Sequence, residues 1–373
     1  MAAATSNPRK ESPPSAKDEA IERLSAGNLH QRLWLPENAS HERLRVTYST
    51  TTNFADTNLP VVLFCSPMFG SRWLNTEFER LAVLNGVRVI CVDRPGMGGS
   101  TRVPLKIRIA VWLEVVPELL KHLDVKHVSL LAHSAGTIYC LNTLYHLRSI
   151  LDPNRPYLAL IAPWVHNEQS KVFLWNAASK LPISMIDSWN SVGKFVQTQI
   201  APSISWSGGA FTAVSGLFST KTDDALTPGR RYGTTDEVGK EMEKLQVKYF
   251  FEEDTTAANE EAKMCLKKDG LVAWDVCDNY ETYVRTLCTR ETEMRRTRTD
   301  EPRLKVQVYY AESDVMIGKG GQSYFDECWS QSMVAGAVDY SSKELPGTDH
   351  DSALIDQEKG AIRHIFAEIG KTG

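Results

Sequence analysis

Short apolar runs alternate with longer segments of helical spacing along most of this chain. The runs are bounded by turn residues, and their length is typical of buried β-strands rather than helices. The runs predicted as strands are 59–65, 87–92, 127–131, 157–161 and 304–310. Because strands that are apolar on both faces need cover on both sides, the pattern predicts a mostly parallel sheet flanked by helices.

The remaining elements complete an α/β arrangement. Two short β-like runs, 31–35 and 44–49, open the folded part, and a further short strand is predicted near 338–342. Helical spacing of apolar residues predicts helices at 75–85, 104–123, 135–147, 322–332 and 352–369.

The alternation stops after Pro163 and returns at residue 304. The intervening residues 166–295 are rich in aromatic side chains and include a loose Gly/Ser-rich stretch at 203–216. We interpret them as a mainly helical cap inserted into an α/β core that comprises residues 21–165 and 296–373.

Residues 1–20 are rich in Ala, Ser, Pro, Lys and Glu, a composition typical of a disordered tail. This segment lacks the apolar stretch of a secretory signal. No run of about 18 apolar residues occurs in the chain, so no transmembrane helix is expected.

Charge and cysteine content exclude several classes of protein. The formal net charge is -4, whereas nucleic-acid-binding proteins usually carry a basic surface. The seven cysteines form no Cys-x-x-Cys pair, and no histidine stands at zinc-ligand spacing from them, so no metal site is predicted. Free thiols inside apolar runs favour a reducing compartment, and we expect a cytoplasmic protein.

One strand leads directly into a helix through the run Ala132-His133-Ser134-Ala135-Gly136. A serine on such a sharp turn projects its hydroxyl from the sheet edge, and only small residues fit two positions to either side. Ser134 is therefore the predicted nucleophile; the alternative is a serine that merely caps the helix. The helix N-terminus would stabilise a negative oxygen, so the N–H of Ala135 is a predicted oxyanion donor.

At this point the sequence resembles the α/β-hydrolase superfamily, in its capped serine hydrolase branch. Ser66-Pro67-Met68 stands where the family usually has His-Gly-x after the third strand. The resemblance implies that the N–H of Met68 completes the oxyanion hole, with Phe69 as the alternative donor.

The run that begins Asp93-Arg94-Pro95-Gly96 is similar to a structural loop of the same family, beside the entrance to the site. A dinucleotide-binding fingerprint is the competing interpretation, but it requires Gly or Ala where Thr101 stands. No metal and no organic cofactor is implied.

The family places its acid after a late strand and its histidine before the last helix. Asp314 and His350 occupy those positions, and Glu312 is a second candidate for the acid. The order Ser, Asp, His along the chain is the one that this fold uses. We also predict that four residues border a substrate pocket: Phe69, His133, Trp164 and His166. We expect His133 itself to point away from Ser134.

The predicted function is hydrolysis of an ester, thioester or lactone of a small, apolar-leaning substrate. A carbon–carbon bond hydrolase would use the same three residues, and a non-catalytic small-molecule receptor or interaction protein could use the same fold. Dehalogenases and epoxide hydrolases of this family carry an aspartate where Ser134 stands. The predicted partner is a small-molecule substrate, and the sequence specifies neither its identity nor an oligomeric state.

Overall fold

The computed structural model describes residues 13–172, 179, 226–267, 273–297 and 302–371. Its strands are β1 (Gln31–Leu35), β2 (Leu44–Thr50), β3 (Val61–Cys65), β4 (Arg88–Val92), β5 (Ser129–His133), β6 (Tyr157–Ile161), β7 (Leu304–Ser313) and β8 (Val338–Asp349). They form one sheet in the order β1-β2-β4-β3-β5-β6-β7-β8. The first two pairings, β1 with β2 and β2 with β4, are antiparallel, and all the others are parallel. The predicted α/β fold with a mostly parallel sheet is confirmed.

Helices cover the sheet and follow its strands. In chain order they are α1 (Ala16–Leu24), α2 (Asn75–Leu84), α3 (Arg108–His122), α4 (Gly136–His146), α5 (Asn167–Ser170), α6 (Pro228–Tyr232), α7 (Asp236–Glu252), α8 (Ala257–Cys265), α9 (Tyr280–Thr297), α10 (Gly318–Trp329), α11 (Ser332–Ala337), α12 (Ser352–Ile355) and α13 (Ile362–Ile369).

The core lies between the central strands and these helices. Every residue of β3, β4 and β6 is buried, as expected for parallel strands that are covered on both faces. Helix α13 shows how a flanking helix contributes, because its buried residues follow the i, i+3, i+4, i+7 spacing of one helix face. These residues are Ile362, Ile365, Phe366 and Ile369.

The parallel pairing gathers three chain positions at one edge of the sheet. Strands β5, β7 and β8 run in the same direction, so their carboxyl ends lie together. Ser134 follows β5, Asp314 follows β7 and His350 follows β8. Open α/β sheets bind ligands at this edge.

The amino-terminal prediction needs a correction, because helix α1 occupies residues that composition assigned to a disordered tail. Ser15 accepts a hydrogen bond from the N–H of Asp18, and the Asp18 carboxylate accepts one from the N–H of Ser15 (both 3.2 Å). This capping box starts the helix. Ala20 and Leu24 are then buried where α1 packs against α7. Two buried residues are too few to register as an apolar pattern.

The carboxyl-terminal elements also differ from the prediction. Strand β8 continues to Asp349 instead of ending near 342. The prediction was too short because β8 is an edge strand whose side chains are mostly exposed and polar, so they show no apolar pattern. The helix predicted at 352–369 is broken into α12 and α13. The Asp356 carboxylate accepts hydrogen bonds from the N–H groups of Glu358 and Lys359 (both 2.8 Å), which replaces a helical turn.

The insertion between β6 and β7 is helical where it is described, in α5 to α9. The Gly/Ser-rich stretch 203–216 and the aromatic residues of 180–225 lie outside the described residues, so the predicted cap at 166–295 is described only in part. Its predicted end falls within the last turn of α9. Among the helices described, none is long and apolar enough to cross a membrane.

Candidate active site

Ser134 sits on a strained turn between β5 and α4. Its φ angle of +51° lies in the left-handed region, which non-glycine residues rarely occupy. Backbone hydrogen bonds hold this conformation: the Ser134 N–H donates to Ile161 O (3.0 Å), and Ser134 O accepts from Thr137 and Trp164 (2.9 and 3.2 Å). The turn has the strand–serine–helix geometry that the sequence predicted.

The glycine two positions after the serine is required by a close approach between backbones. A Cβ atom added to Gly136 would lie 2.0 Å from the carbonyl oxygen of Cys65, the last residue of β3. No side chain fits in that space, so the first turn of α4 can pass the end of β3 only with glycine here.

The side chains of Ser134, His350 and Asp314 form a hydrogen-bonded line. His350 Nε2 lies 2.9 Å from Ser134 Oγ. On its other side, His350 Nδ1 lies 2.9 Å from Asp314 Oδ2 and 3.0 Å from Oδ1. All three residues are buried. The structure thus brings together the three residues that the sequence predicted as nucleophile, base and acid.

Asp314 is held in place by the chain that follows it. Its Oδ1 accepts hydrogen bonds from the N–H groups of Met316 and Ile317 (both 2.9 Å). Burial alone would raise the pKa of Asp314, but the neighbouring His350 and these two N–H groups outweigh it, so the pKa lies below its usual value. The carboxylate therefore stays ionised and faces the imidazole.

His350 shows the complementary shift. Burial alone would lower its pKa, but the negative charge of Asp314 and the hydrogen bond to it raise the pKa above the usual value. When the ring is neutral, Nδ1–H donates to Asp314 and the lone pair of Nε2 accepts from the Ser134 hydroxyl. This tautomer can remove a proton from serine.

Glu312, the second candidate for the acid, makes a different contact. It lies at the exposed end of β7, and its Oε2 accepts a hydrogen bond from the N–H of Gly347 (2.7 Å). Its contact fixes the segment that leads to His350. The geometry therefore favours Asp314 as the residue that orients the imidazole.

The loop after β3, residues 66–70, faces the start of α4 because Gly136 approaches Cys65 and Ser66. The Gly70 N–H donates to Pro67 O (2.8 Å), which closes a turn in which Phe69 has a φ of +62°. A Cβ at Gly70 would lie 2.5 Å from the Cβ of Ser66, so the turn requires glycine there. The assignment of the Ala135 and Met68 N–H groups as oxyanion donors stays a prediction.

Of the four residues predicted to border a pocket, only His166 lines the cavity described below. Phe69, His133 and Trp164 are buried, with exposures of 0%, 1% and 1%. His166 lines a cavity of about 460 Å³, together with residues that include Trp274, Tyr280 and Tyr324. A pocket role for the first three stays a prediction.

A short bridge connects this cavity to the serine. Tyr280 lines the cavity, and its hydroxyl donates to Trp164 O (2.8 Å). The Trp164 N–H in turn donates to Ser134 O (3.2 Å). Trp164 therefore links a residue of the cavity lining to the backbone of Ser134.

His133 contacts the base instead of the nucleophile. Its Nε2–H donates to the backbone carbonyl oxygen of His350 (2.9 Å), and the two ring centroids are 4.8 Å apart. Burial and the neighbouring His350 lower the pKa of His133 to about 3, so the ring is neutral near pH 7. Nothing in the sequence indicated this contact, which joins residues 217 positions apart.

One group of residues in the described part of the chain has the types and spacing of metal ligands: His133, His350 and Asp351. Both ring nitrogens of His350 already take part in hydrogen bonds to Ser134 and Asp314. A metal there would have to break the line described above, so we assign none.

Comparisons with known proteins show a family match over most of the chain. The sequence model of the alpha/beta hydrolase family matches residues 61–362, a range that includes Ser134, Asp314 and His350. No curated protein shows significant sequence similarity to the chain.

Solved structures share the fold at low sequence identity. A hydrolase from Pseudomonas aeruginosa PA01 is similar with a TM-score of 0.53 and 13% identity, covering 92% of this chain and 99% of its own. A thermophilic esterase from Thermogutta terrifontis, with malate bound, has a TM-score of 0.51 and 15% identity, covering 91% and 100%. A mutant of esterase E22 has a TM-score of 0.54 and 11% identity, covering 92% and 99%. At these identities the similarity shows the fold alone.

Proposed function

Because this chain belongs to the alpha/beta hydrolase family, we propose that it is a serine hydrolase whose Ser134 attacks the carbonyl carbon of an ester, thioester or lactone. The observation that carries the proposal is the line of hydrogen bonds from Ser134 through His350 to Asp314. Its members come from three strand ends, and the serine and histidine are 216 positions apart. Such an arrangement is the working geometry of acyl transfer by serine.

In the first half-reaction, His350 Nε2 takes the proton of the Ser134 hydroxyl as the oxygen attacks the carbonyl. The Asp314 carboxylate keeps the Nδ1–H tautomer in place and stabilises the imidazolium that forms. The N–H groups of Ala135 and Met68 donate to the oxyanion, and each such donor is worth about 3 kcal/mol in the transition state. His350 then gives its proton to the leaving group, and an acyl-enzyme remains.

In the second half-reaction, His350 removes a proton from water, which attacks the acyl carbon. The tetrahedral intermediate collapses, the acid product leaves, and the proton returns to Ser134 Oγ. The proposed sequence uses no metal and no organic cofactor.

The insertion supports a small substrate with apolar character. We propose that it caps the carboxyl edge of the sheet, where its described helices bury several aromatic side chains, among them Phe250, Trp274, Tyr280 and Tyr283. The cavity of about 460 Å³ near Trp164 has a volume suited to a small molecule. Most of its lining side chains are polar, among them Asn167, Asp278 and Asn279, so the cavity supports the size of the substrate and not its apolar character. Two structural neighbours are described as esterases, so carboxylic esters are the first substrates to test.

The seven cysteines are free and buried. Unpaired thiols in this number favour a reducing compartment, and we propose that the enzyme works in the cytoplasm.

A fluorophosphonate probe tests the proposal directly, because it reacts with an activated serine and stays attached. We expect labelling of the native protein, loss of labelling in Ser134→Ala, and the probe on the peptide that contains Ser134. Ser129→Ala, which changes a serine of β5 away from the turn, is the matched control and should label normally.

Hydrolysis of 4-nitrophenyl acetate and butyrate should follow the same pattern in these variants. A folded native protein that neither labels nor hydrolyses any ester, thioester or lactone would contradict the proposal. Such a result would favour a non-catalytic receptor. Turnover of a carbon–carbon substrate alone would favour the carbon–carbon bond hydrolases, which share these residues.

A further inference from the structure

Arg94 lies beneath the loop of residues 66–70 and uses all of its N–H donors. Its Nη1 donates to Ser66 O and to Ser66 Oγ, the latter at 2.9 Å, and its Nη2 donates to Pro67 O at 2.7 Å. Its Nε and Nη2 also donate to the two carboxylate oxygens of Glu261, both at 2.6 Å. Five donors thus meet five acceptors, and neither side chain is exposed to solvent.

The contact with Pro67 O fixes the direction of a neighbouring N–H group. The Pro67 carbonyl and the Met68 N–H belong to one planar peptide unit, and no described residue has a cis peptide bond. In a trans peptide the C=O and N–H bonds point in opposite directions. Arg94 and the Gly70 N–H both hold Pro67 O on one side of the peptide, and together they set the direction in which the Met68 N–H points on the other.

The same guanidinium also contacts helix α4, which begins beside Ser134. Its carbon atom lies 4.7 Å from the centre of the Tyr139 ring, in the first turns of α4. The Tyr139 hydroxyl in turn donates to Glu261 (3.3 Å). Arg94 and Glu261 thus connect loop 66–70 to the helix that begins beside Ser134.

A buried pair of this kind is weak evidence for a role in stability. A buried ion pair loses its hydration, and apolar residues of equal volume often give a protein that is as stable or more stable. The fork of an arginine, however, fixes several acceptors in one plane, which lysine and apolar side chains cannot do.

We propose that Arg94, held by Glu261, is a positioning residue that orients the Pro67–Met68 peptide as an oxyanion donor. Glu261 lies in α8 of the insertion, so the oxyanion site depends on the docking of that helix against the sheet. This inference rests on the proposed function and extends it, because it assigns to the insertion a part in the chemistry.

A second arginine–carboxylate pair joins the insertion to the core without contacting loop 66–70, and it provides a control. Arg102 pairs with Asp254 (2.6 Å), and the Arg102 side chain is 64% exposed. Arg102→Ala removes one arginine–carboxylate pair between insertion and core. The Arg102→Ala variant therefore shows how a weaker contact between insertion and core affects activity when loop 66–70 keeps its own contacts.

The experiment compares an ester with its thionoester, in which sulfur replaces the carbonyl oxygen. Oriented N–H donors stabilise a developing O⁻ far more than a diffuse S⁻, so the ratio of the two kcat/KM values reports on the oxyanion site. The variants are Arg94→Met, Arg94→Lys and Glu261→Gln, with Arg102→Ala as the control. Circular dichroism melting curves verify that each variant is folded.

We expect Arg94→Met to lower kcat for the ester by about 10-fold to 100-fold, because loss of a whole donor costs about 10²-fold to 10³-fold. The thionoester should be affected much less, so the ratio falls. Arg94→Lys and Glu261→Gln should give intermediate ratios, and Arg102→Ala the native ratio. A purely structural role for Arg94 would lower both rates together.

The outcomes separate this inference from the proposed function. Native protein without Ser134-dependent hydrolysis overturns both. Native activity with an unchanged ratio in folded Arg94→Met overturns the inference alone. If Arg94→Met does not fold, Arg94→Lys and Glu261→Gln decide, and unchanged ratios in both overturn the inference.

Discussion

His133 donates a hydrogen bond from Nε2 to the backbone carbonyl oxygen of His350, over 2.9 Å. The two residues flank the site from different segments: His133 is the last residue of β5, and His350 follows β8. Both residues are buried, so this hydrogen bond is largely shielded from bulk water. The residue before the nucleophile therefore anchors the backbone of the base.

His133→Phe should keep the ring volume but leave this carbonyl without its donor. A net hydrogen bond is worth about 1 kcal/mol, so we expect kcat/KM for an aryl ester to fall by about fivefold. His133→Gln keeps an N–H donor and should recover most of the loss. Steady-state kinetics and melting curves check this, and equal activity in the native protein and both variants would contradict it.

Asp314→Asn and Glu312→Gln form a matched pair that tests which carboxylate orients the imidazole. Asp314→Asn should reduce kcat by about 10³-fold to 10⁴-fold, because the ring loses the partner that fixes its tautomer. Glu312 is exposed and contacts Gly347, so Glu312→Gln should change kcat by less than about twofold. The reverse ranking would show that the wrong acid was assigned.

The sequence predicted the three central residues because each is marked by local chemistry. Small residues stand two positions to either side of Ser134. Asp314 lies shortly after the predicted strand 304–310, and His350 lies shortly before the predicted last helix. Parallel strands bring their carboxyl ends to one edge, which converts those three local signals into a shared site.

The supporting contacts could not be predicted in that way. The Arg94–Glu261 pair spans 167 positions and depends on how one insertion helix docks. No periodicity or spacing in the sequence encodes such a contact. The loop of Asp93 to Gly96 was interpreted as structural, and its arginine was given no particular role.

Strands were predicted well where all their residues are buried. The edge strand β8 and the amino-terminal helix α1 were predicted less well. Strand β6 matches its prediction of 157–161, because all five residues are buried and apolar. Strand β8 was predicted too short, because an edge strand with polar, exposed residues lacks an apolar pattern. Helix α1 was missed because its stability comes from a capping box and two buried residues.

The pH dependence of activity should follow the His350 imidazole. Only the neutral ring accepts the serine proton, so kcat/KM should rise with pH through an apparent pKa above the usual value of 6.5. Removal of the negative charge in Asp314→Asn should move this limb to lower pH, while the maximal rate falls. His133 contributes nothing to the limb, because its pKa is near 3. A native limb at or below pH 6.5 would contradict the raised pKa.

Gly136→Ala adds only one methyl group, but we expect it to reduce both stability and activity. The added Cβ would lie 2.0 Å from Cys65 O and 2.6 Å from Ser66 O, and both are backbone atoms that cannot rotate away. The start of α4 must therefore separate from β3, which moves Ser134 relative to loop 66–70. Overpacking of this kind typically costs about 1–3 kcal/mol of unfolding free energy. We also expect activity per folded molecule to fall by at least about tenfold, because misplaced oxyanion donors cost that much or more.

Gly27→Ala is the matched control for that substitution, because a Cβ added to Gly27 has no neighbouring atom within 4 Å. Its melting temperature and kcat should equal those of the native protein. Thermal melts together with fluorophosphonate labelling rates distinguish the two effects in Gly136→Ala, since labelling reports on Ser134 in the folded fraction alone. A Gly136→Ala protein with native melting temperature and labelling rate would show that the turn tolerates a wider separation, and the geometry argued for the nucleophile would then be wrong.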